Sequence, residues 1–338
     1  CLSRGLGDVY KRQEYGRRLD SLHARLAERS PGRPLVLFFG SSRIACTVQP
    51  GLLPYAKQAR GSAGPVVFNY AICGAGPVAE LLTLRRLTAD GVHPDCIIVE
   101  VWPSLAAEAG DAQVTSRFPH ERLLYTDLAL ARAYAPKEAI SRRWYKDQLV
   151  PWLSLRTRLL NQWAPYWIPP GQRTGMEFNG LDGWGWLDIP EYRTNEGRRQ
   201  YVQEHGPEYI ANCNAFAPSD GSRRAYAELL GLCRREKITP VFLATPDPYL
   251  PQIAPEARRR MDDFLTGLSA DGSAALIDAR GWFPEDDFHD NCHLTLTGGA
   301  AFTERLDREV LRPYFAGEPL ARRWPPGRLN AAAAGANP

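Results

Sequence analysis

Two short stretches of the chain carry side chains that could perform chemistry together. The first is Gly40-Ser41-Ser42-Arg43, directly after the apolar run Leu35–Phe39. A hydroxyl on the turn from a parallel strand into a helix stands at the mouth of a cleft, with backbone N–H groups beside it that can meet an oxyanion. The second is Asp290-Asn291-Cys292-His293. An aspartate three residues before a histidine can accept from the imidazole Nδ1, fix the tautomer and leave Nε2 free as a base. An overlapping pair, Asp286 and His289, has the same spacing. Each stretch alone is common: the first reads equally as a capped turn and the second as a solvated acidic loop. A serine, a histidine and an aspartate meeting at one site would support nucleophilic acyl transfer.

The elements that must position them follow from the hydrophobic pattern. Apolar runs of strand length lie at Leu35–Phe39, Val66–Tyr70, Cys96–Trp102, Val241–Thr245 and Ala274–Asp278. Amphipathic helical patterns fall near 15–29, 78–84, 221–236, 255–269 and 298–311. Continuous apolar strands alternating with such helices predict a three-layer α/β/α domain with a five-stranded parallel sheet, flavodoxin-like in outline. Ligands of such sheets bind at the carboxyl ends of the strands, where both stretches lie.

The rhythm breaks over 105–217, which holds six of the nine tryptophans: Trp144, Trp152, Trp163, Trp167, Trp184 and Trp186. This segment is expected to be an insertion or lid with its own small core, entering at the catalytic edge and folding over the cleft. Asp182-Gly183-Trp184-Gly185-Trp186 offers the best aromatic faces for a sugar ring, although aromatic residues mostly build cores. The core domain is thus expected over 14–104 and 218–315. Residues 1–13 resemble translated adapter sequence and are expected to be a non-native leader. The Pro-, Gly- and Ala-rich tail, 316–338, is expected to be disordered. With the native start in question, the compartment is left open; cell envelope and secretion are both compatible.

Composition narrows the function classes. The 338 residues are 44% hydrophobic and 23% charged, with a net charge of +3, so no basic face argues for nucleic acid. No apolar run of 18 residues suggests a membrane span. Seven cysteines show no C-x-x-C pair, and neither a metal nor an organic cofactor is implied. Gly74-Ala75-Gly76 is an incomplete dinucleotide fingerprint, and His120 reads as a loop residue.

Taken together, the two stretches resemble the SGNH (GDSL-type) hydrolase superfamily. Gly40-Ser41-Ser42 matches its first block, with Ser42 at the nucleophile position. Asn69 through Gly74 matches the N-x-x-x-x-G block. Asp290, His293, Leu294 and Gly298 match the last block, D-x-x-H-L-x-x-x-G, which selects His293 over His289. The resemblance covers roughly 35–105 and 220–312. It implies a Ser42–His293–Asp290 triad, an oxyanion site made by the N–H groups of Ser42 and Gly74, and substrate contacts from Arg43 and Asn69. Arg43 could equally pair with an acid and hold the turn. The family's third block, G-x-N-D, is absent: the strand runs into Trp102-Pro103-Ser104-Leu105, where Ser104 falls near the missing asparagine and is expected to add a side-chain donor to the oxyanion site. Relatives of alginate-type polysaccharide O-acetyltransferases also begin with a GSSR-like block and lose that asparagine. The resemblance therefore implies an esterase acting on an O-acylated carbohydrate or small ester, with a polysaccharide O-acyltransferase or a non-catalytic glycan-binding relative as alternatives.

Overall fold

The computed structural model describes residues 14–28, 32–58, 64–108, 123–135, 137–149, 160, 164–167, 180–188, 195–318 and 323–324. The strands are β1 (Leu35–Phe39), β2 (Val66–Asn69), β3 (Cys96–Glu100), β4 (Thr239–Ala244) and β5 (Ala275–Asp278). A two-residue strand β6 (Arg323–Trp324) adds to the edge of β5, within the tail expected to lack structure. All pairings are parallel, in the order β2-β1-β3-β4-β5-β6.

Successive strand residues point to opposite faces of a sheet, and here both faces are buried. Leu35, Leu37 and Phe39 join Ile97, Val99 and Phe242 in one apolar cluster. Val36 and Phe38 join Ile98, Val241 and Ile277 in the other. That is why these strands read as continuous apolar runs. The first cluster is covered by α1 (Glu14–Ala27), α3 (Pro77–Ala89), α8 (Asp220–Glu236) and α9 (Pro255–Leu268). The second is covered by the short helix α2 (Ser42–Thr47) and by α10 (Leu296–Leu306). The three expected layers are present.

The described part of 105–217 departs from the expected separate core. It contains α5 (Leu128–Tyr134), α6 (Lys137–Leu149) and α7 (Asn195–Asn214), after α4 (Pro103–Ala107), which follows β3. Leu123, Leu128, Tyr134, Ile140, Val202, Tyr209 and Phe216 belong to the same apolar cluster as the strands. A buried ion pair between Arg86 on α3 and Asp127 ties this segment to the domain. The segment extends the main core because its amphipathic stripes find the α3–α8 face already apolar.

The α7 helix borders the strand ends. The Trp102 indole donates to the Tyr209 hydroxyl at 3.3 Å, and that hydroxyl donates to Asp247 at 2.9 Å. Arg198 donates to the Phe288 carbonyl at 2.9 Å, beside the Asp290–His293 loop. Among the described residues no helix is long and apolar enough to cross a membrane.

Candidate active site

Ser42 is the first residue of α2, and the preceding turn explains why it, and not Ser41, faces the cleft. Ser41 is fully buried, and its Oγ caps the helix by accepting from the Arg43 N–H at 3.2 Å. The Ser41 N–H donates to Glu100 Oε2 at 2.7 Å. Glu100 ends β3, and its other oxygen accepts from the Thr245 hydroxyl at 3.1 Å. Gly40 makes this approach possible: a Cβ there would lie 2.7 Å from both the Cβ and Oε2 of Glu100. With Ser41 consumed by capping, Ser42 keeps its hydroxyl half-exposed.

Asn69 holds the same helix from below. Its side chain is fully buried, and Nδ2 lies 2.9, 3.3 and 2.7 Å from the carbonyls of Ile44, Ala45 and Val48. Its Oδ1 accepts from the Ala71 N–H at 3.1 Å. The expected substrate contact from Asn69 is thereby corrected: no atom of the amide is left for a ligand, and the residue clamps α2 onto β2. Arg43 is corrected for the same reason. It is buried, donates to the Pro246 carbonyl, lies 3.8 Å from Glu100 and stacks over the Trp102 ring at 4.9 Å. It braces the turn.

The second stretch sits on a loop closed by an antiparallel bridge between Phe288 and Leu294. Asp290 Oδ1 accepts from the N–H groups of Cys292 and His293, both at 2.8 Å, which fixes the carboxylate within the loop. Its Oδ2 accepts from His293 Nδ1 at 2.8 Å. His293 Nε2 in turn accepts from Ser42 Oγ at 2.8 Å. Residues 251 positions apart are brought together by the sheet. His289 is buried and uses its N–H on the His293 carbonyl at 2.7 Å; neither it nor Asp286 joins this chain of contacts.

Burial disfavours charge on Asp290, but the hydrogen bond and charge of His293, with the two backbone donors, hold its carboxyl well below the usual range. Burial also opposes charge on His293. The neighbouring Cys292 sulfur and the Asp290 carboxylate outweigh it and raise the imidazole well above its ordinary 6.5.

Of the expected oxyanion donors, the Ser42 N–H opens the first turn of α2, where helix donors lack intrahelical partners. Gly74 lies in the half-exposed turn after β2 at φ +77°. Among the described residues, neither N–H donates to a backbone acceptor outside its own element. The Ser104 hydroxyl, expected as a further oxyanion donor, contacts the Cys213 thiol.

The Asp182–Trp186 turn packs along the outer side of β2. Asn69 N–H donates to the Trp184 carbonyl at 3.0 Å, and Leu187 N–H to Ala45 at 2.9 Å. Gly185 is at φ +83°, and a Cβ there would lie 2.0 Å from the Asn69 carbonyl oxygen. Trp184 packs on the main core with Arg25 over its ring at 5.0 Å, so its faces are taken. Trp186 is half-buried, and its indole donates to the Cys46 carbonyl at 2.8 Å, one turn beyond Ser42. Trp167 is 81% exposed, Trp144 donates to Leu123, and Trp152, Trp163 and His120 lie outside the described residues.

Three supporting residues escaped the sequence reading. Glu100 was visible as a lone acid at the end of an apolar strand. Asp247 and Arg18 gave no such signal. Arg18 is fully buried, pairs with Glu14 at 3.1 Å and donates to the carbonyls of Asn69 and Gly185.

No family model matches the chain, and no curated protein is significantly similar to it. Among solved structures, the chain is similar to a catalytic mutant of Axe2, an acetylxylan esterase from Geobacillus stearothermophilus. The identity is 13% over 87% of this chain and 99% of that one, with a TM-score of 0.36. A second mutant of Axe2, described as an acetyl-xylooligosaccharide esterase from the same organism, gives 12% identity over 83% and 95%, with a TM-score of 0.33. Likeness this distant carries no inference about activity.

Proposed function

We propose that the protein is a serine ester hydrolase of the SGNH type that acts on an O-acylated substrate, a carbohydrate in particular. The observation that carries this reading is the unbroken hydrogen-bonded chain from Ser42 Oγ through His293 to Asp290, at the carboxyl edge of a parallel sheet. Ser42 Oγ attacks the ester carbonyl while His293 Nε2 takes its proton. The oxyanion forms against the N–H groups of Ser42 and Gly74. His293 returns the proton to the departing alcohol, leaving an acyl-Ser42. Water, deprotonated by His293, then releases the acid. Asp290 stays ionised throughout and stabilises the imidazolium. No step calls for a metal or an organic cofactor.

The carbohydrate part rests on the family resemblance and on Trp186, whose ring stands beside the nucleophile helix. Trp186→Ala is expected to lower kcat/KM on an acetylated polysaccharide by up to about tenfold and to change that on a small aryl acetate little, since a stacked ring contributes roughly 0.5–1.5 kcal/mol. Equal losses on both substrates would assign Trp186 to packing.

A second reading, transfer of the acyl group to a sugar hydroxyl, is favoured by one observation: where an asparagine donor would stand, the chain has Trp102-Pro103-Ser104, with Ser104 turned to Cys213. One such donor is worth ~10²–10³ in rate. Incubating the enzyme with an aryl acetate, with and without an acceptor glycan, separates the readings: free acetate in both cases marks a hydrolase, and acetylated glycan marks a transferase.

The base must be neutral to act, and His293 holds its proton more tightly than an ordinary histidine. Activity is therefore lost as pH falls through a value above 6.5, and kcat/KM plotted against pH should show a single acid limb there. Asp290 is held too low to add a limb between pH 4 and 9. A limb near pH 4 to 5 would contradict these assignments.

A further inference from the structure

The proposed triad uses only part of the loop that carries it. Cys292, half-exposed, places its Sγ 3.4 Å from His293 Nδ1, the nitrogen that also faces Asp290 Oδ2 at 2.8 Å. The three ligand atoms, a carboxylate oxygen, a thiol sulfur and an imidazole nitrogen, all lie within 4.8 Å of one another. A tetrahedral zinc ion with bonds of about 2.0–2.3 Å needs its ligand atoms roughly 3.3–3.6 Å apart. The Cys292–His293 separation already meets this. The Asp290 carboxylate would move out by about half an ångström, pivoting on Oδ1, which the Cys292 and His293 N–H groups hold. Sulfur, imidazole and carboxylate form the donor set that thiophilic divalent ions prefer.

We infer that Asp290, Cys292 and His293 form a binding site for a thiophilic divalent cation of the zinc type, and that its occupation switches the enzyme off. In the resting triad the imidazole proton is on Nδ1 and Nε2 is the acceptor for Ser42. A metal on Nδ1 takes the lone pair of that nitrogen, so the remaining ring proton resides on Nε2. Nε2 then has no lone pair to receive the Ser42 proton. The Cys292 thiol proton leaves to solvent as the metal–sulfur bond forms, Asp290 stays a carboxylate, and no electron changes hands. Removal of the metal by a chelator restores the Nδ1–H tautomer. The metal is an inhibitor here and takes no part in the acyl transfer. Its binding stands independently of the esterase reading; the loss of activity rests on it.

Two readouts test the proposal with the whole protein. In the first, Co²⁺ serves as a spectroscopic probe. A thiolate-to-cobalt charge-transfer absorption is expected in the wild type and in Ser42→Ala, and is expected to be absent in Cys292→Ala. In the second, aryl acetate hydrolysis is titrated with Zn²⁺, and each variant is referred to its own metal-free rate. Even partners outside the ligand shell change metal affinity by ~10–100-fold, so Cys292→Ala should need at least tenfold more zinc for half-inhibition. Cys292→Ser, which keeps a weaker donor, should fall between the two. A wild-type protein without the cobalt–thiolate band, or with a band that survives in Cys292→Ala, would overturn the site. Equal zinc sensitivity in wild type and Cys292→Ala would overturn the switch. If no ester is turned over by any variant, the esterase reading fails while the cobalt spectrum still decides the site.

Discussion

Ser42→Ala should lower kcat on an activated ester by on the order of 10⁴ to 10⁶, and His293→Ala should do the same. The hydroxyl and the imidazole are linked at 2.8 Å, and each is useless for nucleophilic attack without the other. The double variant should therefore be little worse than either single one. Losses that multiply would show that the two residues act independently. His289→Ala belongs in the same experiment. His289 is buried, and its backbone N–H donates to the His293 carbonyl. Its replacement should reduce activity mildly, by loosening the loop. A greater loss from His289→Ala than from His293→Ala would reverse the assignment. Circular dichroism of each variant separates lost chemistry from lost fold.

Asn69→Ala is expected to produce the largest loss of stability from a single residue at this site. Its amide supplies the buried carbonyls of Ile44, Ala45 and Val48, and its oxygen takes the Ala71 N–H. Truncation takes the partner from the buried Val48 carbonyl and Ala71 N–H, while Ile44 and Ala45 keep the N–H groups of Val48 and Leu187. At about 1–3 kcal/mol for each unsatisfied buried group, the total should be roughly 3–5 kcal/mol. Asn69→Asp should be worse, because it points a carboxylate at three carbonyl oxygens. Urea unfolding followed by fluorescence would read the loss as a lower midpoint. Because Asn69 clamps the helix that begins at Ser42, the folded fraction should also turn over more slowly. A variant of wild-type stability would show that α2 is held mainly by its apolar contacts.

The strands and most helices were legible because their apolar residues repeat with the period of the element they form. Leu35–Phe39 reads as a strand with two buried faces, and the structure buries every residue of it. The Ser42 and Asp290–His293 stretches were legible as local motifs, and the sheet supplies what a motif cannot, their meeting across 251 residues. What stayed hidden depended on contacts distant in sequence. Asn69 looked like a binding residue because an exposed and a buried asparagine have the same letter; only the three carbonyls of α2 show what its amide does. Arg43 is similar, since its partners are Glu100 at the end of β3 and Pro246 in the turn after β4. The segment 105–217 looked separate because it lacks the strand–helix rhythm. Its apolar stripes nevertheless fit the face of α3 and α8, so the described part shares their core. Trp184 and Trp186 lie two residues apart and read alike, yet one is stacked under Arg25 and the other stands beside the helix that begins at Ser42.

The central claim is that Ser42 is an activated nucleophile. The most direct measurement is labelling of the intact protein with a fluorophosphonate probe, followed by proteolysis and mass spectrometry of the modified peptide. The phosphorus centre reacts with a serine whose proton is withdrawn by a neighbouring base, and spares ordinary serines such as Ser41, which is buried and occupied with capping α2. The account predicts one stoichiometric adduct, on Ser42, lost in His293→Ala and lost at a pH below the His293 acid limb. Labelling at another serine, or no labelling of the folded protein, would contradict it.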